Sequence, residues 1–529
     1  MPNSNEIINL DLSNIELNEK FLEALKLMEG NKNVFITGKA GTGKSTLLTY
    51  FRKTTKKKIA VLAPTGVAAL NVQGQTIHSF FNFGPEVTVS SIGSYNGRNK
   101  KIFKKIDAIV IDEISMVRAD LLDCVDKFLR INGKIPGARF GGIQMIFIGD
   151  LYQLPPVVTG KERGLFKNQY KSPYFFDAHA FENFEMELVE LEKIYRQKDA
   201  KFIELLNAVR NKSVTERDIK EINKRINSNF EPPKKEFYIY LTTTNELSNR
   251  INEKELANLP GKLFTMKGKI EGNFDKKSIP TEIELKLKIG AQVMLLNNDS
   301  SRRWVNGTIG KIKDIRKEED DETGDEKQVV IVELSNGKEV KVGKFSWTIF
   351  KLYYNQAANA LDSEIIGSFT QYPIKLAWSV TIHKGQGKTF DKVIIDIGNG
   401  AFTHGQVYVA LSRCTSFDGI ILKKPIEKKH IWMDWKIVDF LTKYQYKIAN
   451  KKLSSKEKIE IINNAIKNKE KINIIYLKSN DTKSKRIILP KKIGEFDYLG
   501  KKYLGVEAYC FLRKDDRNFR IDRILEIER

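Results

Sequence analysis

The chain has 529 residues, of which 41% are hydrophobic and 29% are charged, and this balance excludes a broadly disordered protein. Its length exceeds what one ordinary core supports and predicts roughly three or four domains. The 89 Lys and Arg residues outnumber the 66 Asp and Glu residues. The resulting formal charge of +23 favours a polyanionic partner, either nucleic acid or an anionic membrane surface, over a merely basic cytosolic protein.

The sequence shows neither a membrane span nor a secretory leader. No stretch approaches the roughly 18 uninterrupted apolar residues of a span, and the polar start Met1–Glu6 lacks a basic segment followed by an apolar one. We therefore expect a cytoplasmic protein. The three cysteines, Cys124, Cys414 and Cys510, lie in apolar surroundings without CxxC spacing, which predicts ordinary core residues rather than metal ligands.

Alternating helix and strand patterns open the chain. A helical pattern at residues 21–28 precedes a buried strand at 33–37, which runs into a glycine-rich turn. Three further apolar strands follow, separated by helical segments, at residues 59–63, 108–112 and 144–149. This alternation predicts a parallel sheet covered by helices, which we place at residues 1–187 with a small insertion near 81–104.

A second α/β region is predicted at residues 188–260 and again at 372–430. Its first part contains a helix, a strand and a second helix, at residues 199–210, 237–242 and 246–258. An intervening segment of the same chain separates the two parts, so the second domain is predicted to be discontinuous.

The separating segment, residues 261–371, is predicted to be a β-rich insertion. Its residues 329–342 form two strand patterns joined by an Asn-Gly pair, which is typical of a tight hairpin turn. The acidic stretch 318–326 is predicted to be a solvated loop tip. Beyond the second region, residues 431–458 are predicted to be a helical linker, and residues 459–529 a separate C-terminal module.

Residues 38–45, Gly-Lys-Ala-Gly-Thr-Gly-Lys-Ser, match G-x-x-x-x-G-K-[ST] between a predicted strand and a predicted helix. Glycines let successive backbone N–H groups face a phosphate, and the helix N-terminus adds its positive end. Lys44 would pair with the β- and γ-phosphates, and Ser45 would hold Mg²⁺. The loop residues predicted to bind the nucleotide are Gly38, Ala40, Gly41, Thr42, Gly43, Lys44, Ser45 and Thr46. This motif alone leaves a kinase or a GTPase open.

Asp112 and Glu113 end the strand pattern at 108–112. An Asp at the carboxyl end of a strand can hold the Mg²⁺ shell, and an adjacent Glu can orient or deprotonate an attacking water. The pair favours hydrolysis over phosphoryl transfer to a substrate. Taken alone, it would equally fit a solvated strand end followed by a helix cap.

From about Leu17 to Ser416, ordered motifs resemble those of superfamily 1 helicases of the Pif1 and RecD-like branch. The matching strings are Ala63-Pro-Thr-Gly and Gly74-Gln-Thr-Ile-His-Ser-Phe-Phe for motifs Ia and Ib, residues 140–157 for the Pif1 signature and motif III, and residues 381–387 for motif V. The resemblance implies two RecA-like P-loop domains, 1A and 2A, and an SH3-like 2B insertion. It also implies an enzyme that uses ATP and Mg²⁺ to move 5′ to 3′ on single-stranded DNA and to unwind duplex or structured DNA.

The resemblance assigns roles at the nucleotide. Gln153 would sense the γ-phosphate, Arg196 and Arg413 would act as arginine fingers, and Gln386 and Gly387 would also contact the nucleotide. The predicted catalytic residues are thus Lys44, Asp112, Glu113, Gln153, Arg196 and Arg413, and the predicted metal ligands are Ser45 and Asp112. In isolation, either arginine would more often be a surface ion pair.

The resemblance also assigns residues to single-stranded DNA, namely Pro64, Thr65, Gly66, His78, Phe80, His383 and Lys384. A strand ending in Ala-Pro-Thr-Gly puts a hydroxyl and free N–H groups at the carboxyl edge of the sheet, where ligands usually bind. The alternative is that His78 and Phe80 are core residues. Two positions depart from the family pattern: Phe21 replaces the usual adenine-reading glutamine, and Gly385 replaces a serine at the DNA junction.

The C-terminal module resembles a WYL domain, with Tyr503-Leu504 in the naming position and Lys502 in place of the tryptophan. Residues 451–529 hold 21 Lys and Arg against 12 Asp and Glu, and arginines alternate with apolar residues as on strands with one basic face. A single-stranded DNA or nucleotide site is predicted, with candidate ligands Arg486, Arg513, Arg517 and Arg520. The alternative is a small β-domain whose arginines pair with Asp515, Asp516 and Asp522.

Two rival functions stay open from the sequence. One is a nucleotide-switched regulator that binds single-stranded DNA and has a ligand-sensing WYL module, and the other is a RecD-like subunit of a recombination complex. The complete motif set favours a self-sufficient helicase. We expect a monomer that acts on single-stranded DNA and on tailed or forked duplex DNA, has no membrane partner, and is associated with a bacterial nucleoid.

Overall fold

The computed structural model describes residues 17–528 except for positions 85, 98–99, 159–161, 234–235, 277–278, 320–325, 357–359, 399, 401–402, 480–481 and 499. The chain forms two compact units, residues 1–207 with 214–432, and residues 208–213 with 433–529. Among the helices described, none combines the length and apolar character needed to cross a membrane. All three cysteines are buried and free, as predicted.

A six-stranded parallel sheet forms the first α/β domain. Its strands are β1 (Val34–Gly38), β2 (Ile59–Ala63), β3 (Gln75–Thr76), β4 (Ala108–Ile111), β5 (Gln144–Ile148) and β6 (Glu187–Leu191). They lie in the order β3-β2-β4-β5-β1-β6. β1, β4 and β5 are buried along their whole length, as central strands are when helices cover both faces. The predicted α/β fold with its parallel sheet is confirmed.

The predicted domain boundary at residue 188 is wrong. β6 pairs in parallel with β1, with Glu187 beside Val34 and Leu191 beside Gly38. The first sheet therefore ends at Leu191. A short apolar strand pattern does not reveal which of two sheets it joins, because that choice depends on long-range pairing.

Helices flank this sheet, and polar side chains fix where several of them begin. They are α1 (Glu19–Glu29), α2 (Lys44–Thr54), α3 (Gly66–Asn71), α4 (Ile77–Phe81), α5 (Ile102–Lys105), α6 (Ala119–Asn132) and α7 (Arg163–Gln169). Asn18, Thr65 and Thr76 each accept a backbone N–H at the start of α1, α3 and α4. The described part of the predicted 81–104 insertion packs on α6 through an aromatic cluster, Phe81, Phe83, Tyr95, Phe103 and Phe128.

The second α/β domain has a four-stranded parallel sheet in the order β18-β7-β19-β20. Its strands are β7 (Ile239–Thr242), β18 (Ser379–Thr381), β19 (Val393–Asp396) and β20 (Ile420–Leu422). Its helices are α8 (Ala200–Arg210), α9 (Glu216–Asn223), α10 (Asn245–Asn258) and α11 (Gln406–Leu411). The helix, strand and helix predicted before the insertion are therefore all present.

The regular elements described in the insertion, between α10 and β18, are β-strands. Its strands are β8 (Phe264–Lys267), β9 (Lys269–Gly272), β10 (Glu284–Leu287), β11 (Gln292–Leu295), β12 (Ile309–Glu319), β13 (Glu326–Leu334), β14 (Glu339–Val342), β15 (Phe345–Asn355), β16 (Ala360–Gln371) and β17 (Ile374–Leu376). β8 pairs with β10, a three-stranded sheet has the order β15-β16-β9, and a five-stranded antiparallel sheet has the order β14-β13-β12-β11-β17. The five-stranded sheet packs around a core that contains Trp304.

Two predictions about the insertion are tested. The Asn-Gly hairpin is confirmed, since β13 and β14 pair across a turn in which Gly337 has a φ of +81°. The predicted return at residue 372 is too early, because β17 still pairs with β11 and the second α/β sheet resumes only at Ser379. The tip of the predicted acidic loop, residues 320–325, lies outside the described residues.

The second unit consists of helices packed on an antiparallel sheet. Its elements are α12 (Trp435–Lys452), α13 (Ser455–Asn468), β21 (Ile472–Leu477), β22 (Lys483–Tyr498), β23 (Lys501–Cys510), β24 (Asp515–Arg520) and β25 (Ile524–Glu528). The sheet order is β24-β23-β22-β21-β25. Tyr446 and Ala449 of α12 pack with Leu477 and Leu525. The predicted linker at 431–458 is therefore wrong, because most of it packs as part of this unit.

Candidate active site and DNA-binding face

The loop from β1 to α2 lies at the carboxyl edge of the first sheet. Gly41 and Gly43 have φ of +80° and +86°, a region that favours glycine. A Cβ added to Gly41 would lie 2.6 Å from the Cβ of Arg196, so the loop sits directly against the chain that follows β6. α2 begins at Lys44 and leaves its first backbone N–H groups available to an anion.

The polar groups of this loop fit a nucleotide phosphate. The Lys44 ammonium donates to the carbonyl oxygens of Gly38 at 2.7 Å and Lys39 at 3.0 Å, which holds the cation over the loop. The Thr42 hydroxyl also donates to Lys39, at 2.9 Å. The structure therefore places the predicted phosphate-binding residues together.

Asp112 and Glu113 follow β4 at the same edge of the sheet. Asp112 is 8% exposed, and burial together with the charge of Glu113 raises its pKa to about 7. Burial likewise raises the pKa of Glu113, although the positive charges of Lys44 and Arg413 oppose that shift. Both carboxyls thus lie within electrostatic reach of Lys44, and Glu113 also lies within reach of the predicted arginine finger Arg413.

A magnesium ion fits this donor set. Mg²⁺ prefers oxygen ligands and commonly uses one or two protein groups besides waters and substrate phosphates. Ser45 is exposed in the first turn of α2, and Asp112 supplies a buried carboxylate whose ionised form a cation would favour. Within the described ranges, no group of three or more His, Cys, Asp or Glu side chains forms a separate metal cluster.

Gln153 lies in the loop after β5, held by a buried aspartate. Its Nε2 donates to Asp150 Oδ2 at 3.2 Å, and the Tyr152 amide donates to the other carboxylate oxygen at 3.1 Å. The Asp150 charge also contributes to the raised pKa of Glu113. The predicted γ-phosphate sensor is therefore anchored beside the predicted general base.

Both predicted arginine fingers are present at this edge. Arg413 is 1% exposed and donates to the Val409 carbonyl at 3.0 Å, to the Ser412 hydroxyl at 3.0 Å and to the Lys388 carbonyl at 3.3 Å. Arg196 donates to the Ser412 carbonyl at 3.1 Å. Burial, and then the charge of Arg196, lower the pKa of Arg413 to about 9. Both guanidinium groups donate to Ser412, so they lie close together, and neither forms an ion pair with a described residue.

The second α/β domain contributes further contacts that sequence reasoning missed. The Tyr408 hydroxyl accepts the backbone N–H of Ala40 at 2.9 Å, inside the phosphate loop. His404 Nε2 lies 3.0 Å from the Leu151 carbonyl oxygen, and a Cβ added to Gly405 would lie 2.4 Å from the Tyr152 carbonyl oxygen. In the sequence, these residues are distinguished only by their position shortly before Arg413, and that position does not predict what they contact.

The side of the loop next to α1 bears on nucleotide choice. Phe21 is 3% exposed and packs edge-on against Tyr50, so it is a core residue with no hydrogen-bonding group. Tyr195 is 41% exposed, lies beside Gly43 and accepts a hydrogen bond from the Asn18 side chain at 2.9 Å. An exposed aromatic ring at this place was also missed, although it directly precedes a predicted finger.

The chain from 382 to 388, which we call the 382–388 loop, connects several of these groups. Gln386 Nε2 donates to Glu113 Oε2 at 3.0 Å, while its own Oε1 has no partner among the described residues. The Gly387 carbonyl lies 3.5 Å from an Arg196 guanidinium nitrogen. The structure thus brings both predicted motif V residues to the catalytic groups.

The predicted DNA residues divide into surface and core positions. Thr65 and Lys384 are exposed, and Pro64 and Gly66 are partly exposed where β2 meets α3. The prediction for Phe80 is wrong: it is 8% exposed and packs edge-on against both Phe81 and Phe103, so its ring has no free face for a base.

His78 and His383 are partly buried, and burial lowers the pKa of each. The lowered pKa favours the neutral form of each ring in the free chain.

In the second unit, Arg486 is the distinctive predicted ligand. It is 8% exposed, and its Nε and Nη1 atoms have no hydrogen-bond partner in the part of the chain that the structure describes. Burial, followed by the charges of Arg486 and Arg513, lowers the pKa of Lys478. Three cationic side chains therefore share one neighbourhood.

The four predicted arginines do not form one cluster. Arg520 forms an ion pair with Asp522 at 2.6 Å and lies over the Tyr503 ring at 5.3 Å, as the alternative interpretation expected. Arg517 is exposed on β24. The available guanidinium groups near Lys478 are those of Arg486 and Arg513.

Comparison with known proteins gives consistent matches along the chain. Residues 16–220 match the family model of PIF1-like helicases, residues 275–315 that of the DNA helicase Pif1 2B domain, and residues 457–529 that of the WYL domain. The chain is 33% identical over 421 residues to an ATP-dependent DNA helicase Pif1 of Bdellovibrio bacteriovorus. That match covers 77% of this chain and 88% of the relative.

Solved structures of a Bacteroides Pif1 give the same result. One, in complex with ADP-AlF4, superposes with a TM-score of 0.73 at 34% identity and covers 81% of this chain and 97% of the other. Another is a structure of two coordinating Pif1 helicases that addresses DNA unwinding at forked double-stranded DNA. It superposes with a TM-score of 0.58 at 35% identity and has the same coverage.

Proposed function

Since the chain belongs to the Pif1 family of ATP-dependent DNA helicases, we propose that it moves 5′ to 3′ along single-stranded DNA and unwinds duplex or structured DNA. One observation carries the proposal. The groups around Glu113 come from both α/β domains: Gln386 contacts it at 3.0 Å, and the charge of Arg413 acts on it. Hydrolysis at such a composite site depends on domain closure, which is what a cleft motor requires.

The domain assignment follows the observed sheets. We assign residues through Leu191 to domain 1A, the chain around the second parallel sheet to domain 2A, and the β-rich insertion through β17 to domain 2B. The WYL-like domain then includes α13, whose Ile462 and Ala465 lie in the same core as Ile488 and Phe519.

Hydrolysis is assigned to residues of this chain. Lys44 exchanges the carbonyls of Gly38 and Lys39 for phosphate oxygens, while Glu113 orients the attacking water and accepts its proton. Arg413 and Arg196 stabilise the negative charge that develops on the transferred phosphoryl group. Mg²⁺, held by Ser45 and Asp112, would supply Lewis-acid stabilisation of that charge.

Movement follows from the way the nucleotide state controls closure. Gln386 and Tyr408 hold the second domain against the first, and Arg413 would add a contact to the γ-phosphate, so loss of that phosphate removes a contact that favours the closed form. Thr65 and Lys384, one on each domain, then grip the strand alternately. Because such contacts reach mainly the DNA backbone, binding is expected to weaken steeply as salt increases.

Single-stranded DNA and tailed or forked duplexes are the proposed partners. A solved relative acts at forked DNA as two coordinating helicases, yet we propose that this chain is a monomer in solution. Sedimentation of the free protein and the dependence of unwinding on protein concentration test this point. A free dimer would contradict it.

The main experiment compares wild type with Lys44→Ala on duplexes carrying either a 5′ or a 3′ single-stranded tail. We expect wild type to unwind only the 5′-tailed duplex and Lys44→Ala to lose DNA-stimulated ATPase and unwinding. ATPase that survives Lys44→Ala would contradict the motor. Unwinding by the purified chain would also exclude a nucleotide-switched regulator and a RecD-like subunit that needs partners.

For the second unit, we propose a phosphate-binding site for single-stranded DNA centred on Arg486. A buried guanidinium with unsatisfied donors is costly, and a phosphate accepts such donors in a bidentate fashion. The neighbouring charges of Lys478 and Arg513 increase the attraction for an anion.

Arg486→Gln tests this site against Lys492→Gln, which removes one positive charge from an exposed position on the same strand. We expect Arg486→Gln to reduce the single-strand affinity of the full chain about tenfold, as for a charged hydrogen-bonding group, and Lys492→Gln to change it less than twofold. Equal affinities for the two variants would leave the unit as a structural or partner-docking domain.

A further inference from the structure

Two lysines that the proposed mechanism does not use, Lys375 and Lys388, lie at or near the 382–388 loop. Lys375 lies on β17, where it pairs with Met294 of β11, and its Nζ has no hydrogen-bond or ion-pair partner among the described residues. Lys388 ends the loop and is partly buried. Exposed Lys384 adds a third positive charge to the same neighbourhood.

The electrostatics of this cluster favour an anion. Burial, and then the charges of Lys388 and Lys384, lower the pKa of Lys375 to about 7, and burial lowers the pKa of Lys388 to about 8. No carboxylate contributes to either shift. Clustered, partly buried cations of this kind are stabilised when a phosphate binds between them, because its negative charge offsets the free-energy cost of their desolvation.

Lys388 is held by a chain of hydrogen bonds that crosses three parts of the molecule. Its Nζ donates to Asn306 Oδ1 at 2.8 Å, and Asn306 Nδ2 donates to Asn71 Oδ1 at 3.1 Å. Asn306 belongs to the β-rich insertion, and Asn71 is the last residue of α3, the helix that begins after Thr65. We name this Lys388–Asn306–Asn71 chain the amide latch. The Lys388 ammonium is therefore held on the side of the β-rich insertion and of α3.

The backbone of Lys388 faces the nucleotide side at the same time. Its carbonyl oxygen accepts a hydrogen bond from Arg413 Nη1 at 3.3 Å. The Lys388 backbone therefore contacts a predicted arginine finger, while its side chain belongs to the amide latch.

We propose that Lys388 and Lys375 bind a backbone phosphate of the DNA strand, and that Lys388 releases Asn306 of the amide latch to do so. The proposal rests on the proposed helicase function and adds two phosphate ligands and a DNA-sensitive contact to it. Asn306 and the phosphate compete for the same ammonium group. Removal of the latch and removal of the lysine therefore have opposite effects on DNA binding.

The experiment measures the affinity of the full chain for a labelled oligothymidylate over a range of salt concentrations. Lys388→Gln and Lys375→Gln are each expected to weaken binding and to reduce the slope of log affinity against log salt by about 0.7, the contribution of one phosphate on a single strand. Asn306→Ala is expected to bind about two- to tenfold more tightly with an unchanged slope, because the competing hydrogen bond is gone. Asn71→Ala, at an exposed position, should shift binding in the same direction as Asn306→Ala by a smaller factor.

Lys392→Gln is the matched control. Lys392 is partly exposed, pairs with Glu236 at 2.7 Å and precedes β19, at the edge of the second sheet opposite the 382–388 loop. Its loss should leave the salt slope unchanged. Weaker binding by Asn306→Ala, or an unchanged slope in Lys388→Gln, would overturn the proposal, because the latch would then be purely structural. If wild type itself neither binds the oligonucleotide nor unwinds, the proposed function fails instead.

Discussion

Replacing Arg413 by lysine separates a catalytic role from a structural one. An arginine finger contributes a factor of about 10³ to 10⁵ in rate, which corresponds to about 4 to 7 kcal/mol of transition-state stabilisation. Lysine keeps the positive charge but lacks the planar fork that meets two phosphoryl oxygens together. We therefore expect kcat of DNA-stimulated ATP hydrolysis to fall about 10³-fold, with the affinity for ADP changed less than threefold.

The loss of folding stability in Arg413→Lys should be smaller than the loss of transition-state stabilisation. Arg413 makes three hydrogen bonds, to Val409, Ser412 and Lys388, and a lysine at this position can retain one of them. Hydrogen bonds to charged groups contribute about 1.5 to 3 kcal/mol each, but the pKa lowered to about 9 shows that burying this charge already costs stability. A net destabilisation of about 1 to 3 kcal/mol is expected.

Arg225→Lys is the matched control for Arg413→Lys. Arg225 is also a partly buried arginine of the second domain that donates to backbone carbonyls, those of Ile420 at 2.8 Å and of Asp418, away from the nucleotide. It should lower the melting temperature to a similar extent and leave kcat within twofold of wild type. If Arg413→Lys reduces kcat less than tenfold while both variants melt early, Arg413 is a structural residue and the reasoning fails.

Two further predictions concern nucleotide choice and pH. Because Phe21 offers no amide to adenine, we expect kcat/KM for GTP to lie within about tenfold of that for ATP in steady-state assays; a preference above about 100-fold would show that another group reads the base. Because burial lowers the pKa of His383 from its usual 6.5, the folded chain binds fewer protons there than the unfolded chain as pH falls below 6.5, and stability is lost in that window. In urea denaturation, the free energy of unfolding of His383→Asn relative to that of wild type should therefore increase as pH falls from about 7.5 to about 5.5. A difference that does not change with pH would refute this.

Local chemistry explains which site residues were predictable from sequence. The phosphate loop and Asp112-Glu113 are contiguous, and the geometry that they need follows from a strand end, glycines and a helix start. Arg196 and Arg413 were identified by resemblance, and the structure brings them within electrostatic reach of each other. Spacing alone would not have separated them from surface arginines.

Tertiary packing explains the errors. Phe80 lies within a predicted DNA motif, yet it packs against Phe81 and Phe103, and Phe81 packs in turn against Phe128 of α6. β6 adds to the first sheet through pairing with β1, and α12 packs with β25 instead of spanning open solvent. Asn306 and Asn71 are 235 residues apart, so no local pattern predicts their hydrogen bond.

Three consecutive residues of the 382–388 loop make separate contacts, which join the predicted DNA side of the molecule to the predicted nucleotide side. Gln386 contacts Glu113, the Gly387 carbonyl faces Arg196, and Lys388 joins Arg413 to the amide latch. Three residues of extended chain span only about 10 Å, and hydrogen bonds weaken steeply when donor and acceptor separate by a few tenths of an ångström. A shift of the Lys388 backbone that accompanies phosphate binding would therefore alter the contacts of Gln386 with Glu113 and of Arg413 with Lys388. Under the proposed role of Lys388, DNA binding and hydrolysis would be coupled by adjacency in the backbone.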